Sequence, residues 1–208
     1  TFNPGTLLVE QREITIFWGH TTHTYDGQRW SPDATAWNTV NGDRLTLTIE
    51  GAQQNVGAYT AQVTGITGDK AGNYKLPGET TTSFDIGPAA ITVTADDKSI
   101  IYGADAPAYT VTYDGLAQGE DGTNLDGTLT FDCAYAPGMD AATYIITPKG
   151  VTSQNYTIRL MPGTLTVDKR TVDIAWGSES LTYNRLEQHP SAAIANLYGT
   201  DYVALTVT

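Results

Sequence analysis

The sequence predicts an all-β fold built from small antiparallel β-sandwiches that repeat in tandem. Three observations support this prediction: apolar and polar residues alternate with a period of two, turn-forming residues interrupt the alternating runs, and the same motifs return at a nearly constant spacing. A period of two is typical of strands, because successive side chains point to opposite faces of a sheet. The 21 glycines, 12 tyrosines and 16% charged residues agree with a globular chain rich in strands and turns.

The clearest repeat links the two ends of the chain at a constant separation of 158 residues. The motif PGTLLV at 4–9 returns as PGTLTV at 162–167, and the register then holds without a gap over about forty residues. Further matching pairs are Trp18 and Trp176, Tyr25 and Tyr183, Pro32 and Pro190, and Asp43 and Asp201. Such persistence indicates repeated structural units.

A more divergent copy lies between these two, so the 158 residues correspond to two periods of about 79. Its landmarks are Tyr102, which lies 77 residues after Tyr25, and Asn155-Tyr156, which lies 82 residues after Asn73-Tyr74. The predicted organisation is therefore the end of a preceding repeat (1–10), repeat 1 (11–88), repeat 2 (89–168) and the first half of a truncated repeat 3 (169–208).

Each repeat is predicted to hold roughly six or seven short strands, which suits a small Ig-like sandwich. One stretch, GLAQGED at 115–121, is compatible with either a turn or a single helical turn. If it is helical, the repeat is a β-grasp-like α+β domain with one short helix, and this alternative stays open. The junctions at 87–90 and 168–171 contain almost no linker, which predicts that the repeats stack into a rod.

Charge and cysteine content exclude several classes of protein. With 23 acidic and 11 basic residues the net charge is −12, which repels phosphate backbones and anionic lipids and argues against nucleic acid as a partner. No apolar run approaches the ~18 residues that a membrane helix needs, so membrane insertion of this segment is not expected. Cys133 is the single cysteine, so an intrachain disulfide is impossible, and we interpret it as a small buried apolar residue.

The sequence contains no recognisable catalytic arrangement. Of the three histidines, His20 and His23 are three residues apart, so in a strand they would point to opposite faces, and His189 is isolated. Neither a Gly-x-Ser-x-Gly nucleophile motif nor a glycine-rich phosphate loop occurs. We therefore predict a protein that is not an enzyme and that uses no cofactor.

Two groups of residues are candidate binding sites. The first is an acidic loop whose oxygen ligands would suit calcium, formed by Asp114, Glu120, Asp121, Asn124 and Asp126. Because the regular Asp-x-Asp-x-Asp-Gly spacing is missing, the favoured interpretation is a solvated loop whose aspartates form turns, with no bound metal. The second is a pair of tryptophans, Trp30 and Trp37, which have no counterparts in the other repeats.

The tryptophans divide into two kinds. Trp18 and Trp176 occupy equivalent positions, and Trp18 follows Ile14 and Ile16 at intervals of two, so these side chains should share the core face of a strand. For Trp30 and Trp37 we favour packing in the core or between repeats, and the alternative is an exposed surface that binds carbohydrate.

Repeat 2 carries a series of motifs in a fixed order, namely Ile101-Tyr102-Gly103, Tyr113-Asp114-Gly115-Leu116, Gly119-Glu120-Asp121, Gly127-Thr128-Leu129, Thr143-Tyr144, Asn155-Tyr156 and Gly163-Thr164-Leu165. Through these motifs it resembles the bacterial MBG domains of the Tyr-Gly-X type. Repeat 1 resembles a related repeat of Firmicutes surface proteins through Thr24-Tyr25-Asp26-Gly27, Gly57-Ala58-Tyr59 and Ala71-Gly72-Asn73-Tyr74. The resemblance implies tandem modules of large secreted adhesins, with no catalytic residues to carry over.

The leading hypothesis is therefore a non-catalytic stalk or adhesive region of a secreted, cell-surface or cell-wall-associated protein of a Gram-positive bacterium. Two alternatives stay open: a module that binds glycan or mucin, and an accessory module of a secreted enzyme. The partners expected for the intact protein are a host glycan, a mucin or another cell-surface protein. The segment itself is expected to be a monomer.

Overall fold

A computed structural model describes residues 5–177 and 180–206 of this chain. Nearly half of the residues lie in strands, and the described helical structure consists of two 3-10 turns at Ala71–Asn73 and Gly122–Asn124. The prediction of an all-β fold is thus confirmed. The stretch 115–121 is not helical, so the helix that a β-grasp-like fold would need there is not formed. In the described part of the chain, no helix has the length and apolar character to cross a membrane.

The strands follow one another with short connections. The first eight are β1 (Arg12–Glu13), β2 (Thr15–Gly19), β3 (Thr22–Thr24), β4 (Asp33–Trp37), β5 (Thr46–Glu50), β6 (Gly57–Thr67), β7 (Tyr74–Lys75) and β8 (Thr81–Gly87). The others are β9 (Ala89–Ala95), β10 (Lys98–Ile101), β11 (Val111–Asp114), β12 (Asp126–Asp132), β13 (Thr143–Thr152), β14 (Tyr156–Met161), β15 (Gly163–Asp168), β16 (Asp173–Gly177) and β17 (Ser191–Ala195).

The chain forms two compact units, and each gathers segments that are distant in sequence. The first unit holds the chain up to Ile91 together with Asp114–Asp126 and Thr152–Arg159. The second holds Thr92–Tyr113, Gly127–Val151 and the chain from Leu160 onwards. The repeat boundaries at 88 and 168 are a division by sequence pattern, and they stay a prediction.

The first unit is a two-layer sandwich. A four-stranded sheet of order β3-β8-β6-β5 forms one layer, and the β2-β4 hairpin and the short β1-β7 pair lie across from it. The core between the layers contains Ile14, Leu47, Val63 and Tyr74, all of them buried. Because strand residues alternate between faces, the residues of β2 and β4 that face this core are apolar and their neighbours face outwards.

In the second unit, the four-stranded sheet has the order β10-β15-β13-β12. Its core contains Ala95, Tyr135, Ile146, Leu165 and Val167, and Cys133 packs against it partly buried. A three-stranded sheet of order β11-β9-β14 and the β16-β17 hairpin complete the sheets of the chain. The placement of Cys133 agrees with its interpretation as a small apolar residue.

Both four-stranded sheets contain one parallel edge pair, which refines the prediction of antiparallel sandwiches. The pair β3-β8 is parallel, with Thr22 opposite Asp85, and the pair β10-β15 is parallel, with Lys98 opposite Leu165. In predicted repeat 2, the first two strands, β9 and β10, join different sheets. Residues that alternate regularly are compatible with parallel or antiparallel pairing, so the sequence pattern does not distinguish the two.

The prediction that the alternating apolar residues of the first strand face the core is confirmed in predicted repeat 1. It is wrong for predicted repeat 3. Ile14 is buried, and Ile16 and Trp18 pack partly buried against the same core. By contrast, Ile174 is 52% exposed and Trp176 is 57% exposed. The reason is that β16 pairs with β17 in an isolated two-stranded hairpin, and no second layer covers its apolar face among the described residues.

Candidate functional site

The main polar cluster of the first unit is built on a tight turn from Ala117 to Glu120. The Glu120 N–H donates to the Ala117 carbonyl at 3.0 Å, and Gly119 has the positive φ of 87° that this turn requires. The hydroxyl of Tyr156 lies across the turn. It accepts a hydrogen bond from the Ala117 N–H at 2.8 Å and donates one to Glu120 Oε2 at 2.5 Å.

A second tyrosine binds the other oxygen of the same carboxylate. The Tyr25 hydroxyl donates to Glu120 Oε1 at 2.5 Å, and the Tyr25 N–H is held by the Gly87 carbonyl at 2.8 Å. The rings of Tyr25 and Tyr156 meet edge to face, with 5.2 Å between their centroids. Both rings are buried, at 6% and 5% exposure. We call Tyr25, Glu120 and Tyr156 the tyrosine–carboxylate cluster.

The electrostatics of the cluster keep both phenols protonated. Burial raises the pKa of Tyr25 to about 12, and the hydrogen bond to Glu120 and its negative charge act in the same direction. Burial also raises the pKa of Tyr156, and Glu120 again adds to the shift. A phenol beside a carboxylate resists ionisation because a second negative charge would be placed next to the first. The two tyrosines therefore act as hydrogen-bond donors to Glu120.

Neighbouring contacts fix the position of the cluster. Gly27, two residues after Tyr25, approaches the turn so closely that an added Cβ would lie 3.0 Å from the Ala117 Cβ. Asn155, which precedes Tyr156, accepts a hydrogen bond from the Val56 N–H at 3.0 Å. The Ala89 N–H also donates to the Asn155 carbonyl at 3.0 Å. Gly27 after Tyr25 and Asn155 before Tyr156 thus fix the backbone that carries the two phenol rings.

The turn of this cluster has a close equivalent at Val40–Asp43. The Asp43 N–H donates to the Val40 carbonyl at 2.9 Å, which closes the turn in the same way. Tyr74 takes the place of Tyr156: its hydroxyl accepts from the Val40 N–H at 2.9 Å and donates to Asp43 Oδ2 at 2.8 Å. Tyr74 and Tyr156 are also the tyrosines of the two Asn-Tyr motifs.

A third turn closed by the same kind of backbone hydrogen bond lies in the second unit, from Tyr198 to Asp201. The Asp201 N–H donates to the Tyr198 carbonyl at 3.0 Å, and the Tyr102 ring meets the Tyr198 ring edge to face at 5.6 Å. A hydrogen bond to the Asp201 carboxylate raises the pKa of Tyr102, as Glu120 does for Tyr25. A Cβ on Gly103 would overlap the Tyr198 ring, so a larger residue would push this turn away.

The acidic loop predicted as a possible calcium site uses its oxygens for protein hydrogen bonds. Glu120 binds the two tyrosines, and Asp121 Oδ1 accepts from the Thr123 N–H at 2.8 Å and the Thr123 hydroxyl at 2.6 Å. Asn124 Oδ1 accepts from the Asp121 N–H at 2.9 Å, so Asp121 and Asn124 cap the 3-10 turn reciprocally. Asp114 and Asp126 are exposed. No set of three or more His, Cys, Asp or Glu side chains suited to a metal is found among residues 5–177 and 180–206.

The two tryptophans of the predicted aromatic surface lie in different environments. Trp30 is half-buried: its ring stacks on His23 at 4.7 Å and contacts buried Phe84 at 5.6 Å. This agrees with the packing that we favoured. Trp37 is 69% exposed, and its exposed aromatic neighbour is Phe17, which is 68% exposed. The packing that we favoured is therefore wrong for Trp37, and the two tryptophans do not share an exposed surface.

Phe17, Trp37 and Thr15 line a shallow cavity of about 350 Å³ on the outer face of the β2-β4 hairpin. Thr15 lies opposite Trp37 in the ladder, and Phe17 lies opposite Thr35, so the two aromatic residues are diagonal neighbours on one face. The sequence analysis did not single out Phe17. The sequence nevertheless indicates that Phe17 faces outwards, because residues 15 and 17 alternate with the inward-facing residues 14, 16 and 18.

The comparison with protein families supports the resemblance of repeat 2. Residues 91–166 match the family model described as MBG domain (YGX type), a repeat module of surface proteins. The matched segment contains Tyr102-Gly103 and both Glu120 and Tyr156 of the tyrosine–carboxylate cluster. The predicted resemblance of this segment is thus confirmed. No curated protein matches the chain.

Proposed function

We propose that this chain is a non-catalytic stalk or spacer region of a secreted bacterial cell-surface protein. The observation that carries the proposal is the tyrosine–carboxylate cluster. In it Tyr25 of predicted repeat 1 and Tyr156 of predicted repeat 2 bind the two oxygens of Glu120. A contact of this kind restrains the hinge between two repeats, because bending there would have to break a charge-assisted hydrogen bond.

The chemistry of the cluster supports a structural role. Both tyrosines are buried donors whose raised pKa values keep them neutral, and both oxygens of Glu120 are already occupied by protein donors. The Asp201 carboxylate likewise raises the pKa of Tyr102, whose ring meets the Tyr198 ring edge to face. A junction that recurs along a tandem array, with almost no linker residues, is suited to holding a terminal domain at a distance from the cell. The match to a module of surface proteins supports an extracellular location.

If the chain is a spacer, it should be elongated in solution. We expect small-angle X-ray scattering, extrapolated to zero concentration, to give a radius of gyration well above the roughly 17 Å of a compact protein of 208 residues. In Glu120→Gln the loss of charge weakens both tyrosine bonds, so the scattering should show a broader distribution of particle lengths. The exposed neighbour variant Asp126→Asn is the control. A compact globule for the unmodified chain would contradict the spacer role.

A second candidate function is recognition of a neutral glycan by the exposed aromatic pair Phe17 and Trp37. The positions equivalent to these two in repeat 3 are Ala175 and Ala195, so that repeat does not carry the pair. Exposed aromatic rings beside a hydroxyl, here that of Thr15, suit the apolar face and the hydroxyl groups of a sugar ring. The net charge of −12 favours uncharged sugars over sulfated or sialylated ones.

Glycan recognition would be tested with an array of neutral oligosaccharides, including mucin-type structures. We expect Trp37→Ala and Phe17→Ala each to lower binding at least tenfold, because stacking on the aromatic ring is lost. Trp176→Ala is the matched control, since Trp176 is also an exposed strand tryptophan, at 57% exposure. Equal binding by all three variants, or no binding by the unmodified chain, would remove this candidate.

A further inference from the structure

We propose that the parallel strand pair in each unit is a clamp that bears tension along the chain. The two pairs are β3 with β8 in the first unit and β10 with β15 in the second. The inference rests on the proposed stalk function, since a stalk transmits force between the cell and whatever its protein binds. It adds resistance to pulling, which a passive spacer does not need.

Tension along the chain reaches the two strands of each pair at opposite ends. β8 ends at Gly87 and β15 ends at Asp168, so each is the last strand of its predicted repeat. β3 and β10 come earlier in the same repeats. A pull on the chain therefore draws β3 and β10 from their first residues, and it draws β8 and β15 from their last residues.

Parallel pairing converts this tension into shear. The first residues of two parallel strands lie at one end of the pair and the last residues at the other, so the pull slides one strand along its partner. All the hydrogen bonds between the strands are then loaded together. In an antiparallel pair the same two attachment points would lie at one end, and the bonds would break one after another.

The clamp is closed in the same way in both units. The tyrosine that follows the first strand of the pair donates its N–H to the carbonyl of the last residue of the partner strand. Tyr25 binds Gly87 and Tyr102 binds Asp168, each at 2.8 Å. Because Tyr25 and Tyr102 are also counterparts in the sequence repeat, the arrangement recurs with the repeat.

Side-chain hydrogen bonds latch the β10-β15 pair towards both of its ends. Just before β10, Asp97 Oδ1 accepts from the Thr164 N–H at 2.7 Å and from the Thr164 hydroxyl at 2.8 Å. Towards the other end, the Ser99 hydroxyl donates to Asp168 Oδ2 at 2.8 Å. Both acceptors are carboxylates, whose hydrogen bonds are stronger than neutral ones. These bonds connect the two strands, so they must break before the strands can slide.

Single-molecule force spectroscopy on the full chain would test the clamp by changing only the direction of pull. Tethers at Thr94→Cys and Lys169→Cys draw β10 from its start and β15 from its end, as tension in a stalk would. Tethers at Ala106→Cys and Lys169→Cys draw both strands from the same end. All three positions are exposed, and Cys133→Ser in both proteins removes the single native thiol.

At one loading rate, the Thr94 and Lys169 tethers should give a rupture force at least about twofold higher than the Ala106 and Lys169 tethers, because shear loads the whole ladder at once. Equal forces in the two directions, or a higher force on peeling, would overturn the clamp. Thermal unfolding would check that each protein is folded. If Thr94→Cys is not, a tether at the N-terminus replaces it, because that tether also draws β10 from its start.

The latch is tested by Asp97→Ala in both pulling directions. Asp97 lies at the end of the pair that is far from the Ala106 and Lys169 tethers. The substitution should therefore lower the shearing force and leave the peeling force unchanged. Asp105→Ala, which removes an exposed carboxylate outside the pair, is the matched control and should change neither force. An equal fall in both forces would indicate a general loss of stability and would contradict the latch.

The force measurement and the scattering measurement fail independently. An elongated chain that ruptures at equal force in both directions would keep the spacer function and remove the load-bearing role. A compact chain whose rupture force depends on direction would instead remove the spacer function and leave the clamp as a property of the fold.

Discussion

Replacing Glu120 with alanine is expected to lower the free energy of unfolding by about 3 kcal/mol, because hydrogen bonds to a charged group contribute roughly 1.5–3 kcal/mol each. The substitution removes the acceptor of both Tyr25 and Tyr156, each bound at 2.5 Å. It also leaves two phenols in a buried environment without their partner, which adds a desolvation cost. Chemical denaturation at neutral pH measures the loss.

The control is Asp126→Ala, which removes a carboxylate from the same loop. Asp126 is exposed, and a surface substitution of this kind usually changes stability by less than about 0.5 kcal/mol. Similar losses for the two variants would show that the cluster contributes little and that the acidic loop is merely solvated.

Alkaline pH gives a second readout of the same variant. The pKa of Tyr25 is raised from 10.0 to about 12, so the folded chain holds this proton more tightly than the unfolded chain does. The contribution of this raised pKa to the free energy of unfolding is complete below pH 10 and is lost as the pH rises towards 12. In Glu120→Ala the burial of Tyr25 and the neighbouring Tyr156 still raise its pKa, but the contributions of Glu120 are gone, so this variant should lose less stability over that range. The difference in the free energy of unfolding between the unmodified chain and Glu120→Ala should therefore become smaller as the pH rises.

Replacing Phe84 with alanine is expected to destabilise the first unit by roughly 3–5 kcal/mol, the range for emptying a buried aromatic site. Phe84 is 1% exposed, and the rings of Trp30 and Tyr59 both lie 5.6 Å from it. Without Phe84 these two rings lose their support from the sheet, and a cavity remains because strand β8 is held on both sides. Denaturant unfolding followed by tryptophan fluorescence would measure the loss and report on Trp30.

Phe17→Ala is the matched substitution, because it removes the same side chain from a position that is 68% exposed. Its cost should stay below ~1 kcal/mol. A comparable loss at both positions would mean that the outer face of the β2-β4 hairpin is covered in solution. That result would also count against the aromatic pair as a free glycan-binding surface.

Much of the fold could be predicted because strand periodicity is local. The residues Ile14, Ile16 and Trp18 follow one another at intervals of two, and their shared face could be assigned before any partner strand was known. The same argument failed for Trp176, because alternation identifies a face and says nothing of whether a second layer covers it. Pairing direction was also undetermined, since the parallel contact of β3 with β8 joins residues about sixty positions apart.

The candidate site was harder to predict because its residues are distant in sequence. Tyr25 and Glu120 are 95 residues apart, and nothing in either local pattern indicates that they share a hydrogen bond. Tyr25 was visible as a repeated landmark through its counterparts Tyr102 and Tyr183, and Glu120 stood in the Gly119-Glu120-Asp121 motif of repeat 2. The sequence analysis grouped Glu120 with its acidic neighbours as a possible metal ligand. The structure instead directs its carboxylate away from them, towards two phenols.

The sequence by itself was enough to predict the strand-rich class and the resemblance of repeat 2 (89–168) to a surface-protein module, and both are confirmed, the second over residues 91–166. The repeating unit of about 79 residues is also read from the sequence and stays a prediction. These properties follow from composition, period and spacing, which are read along the chain. The tertiary structure alone decided that Glu120 is shared by two tyrosines, that Trp30 is packed and that Phe17 is exposed. The physical reason is that hydrogen bonding and burial depend on which distant segments meet, and a local pattern specifies only the face that a residue presents to them.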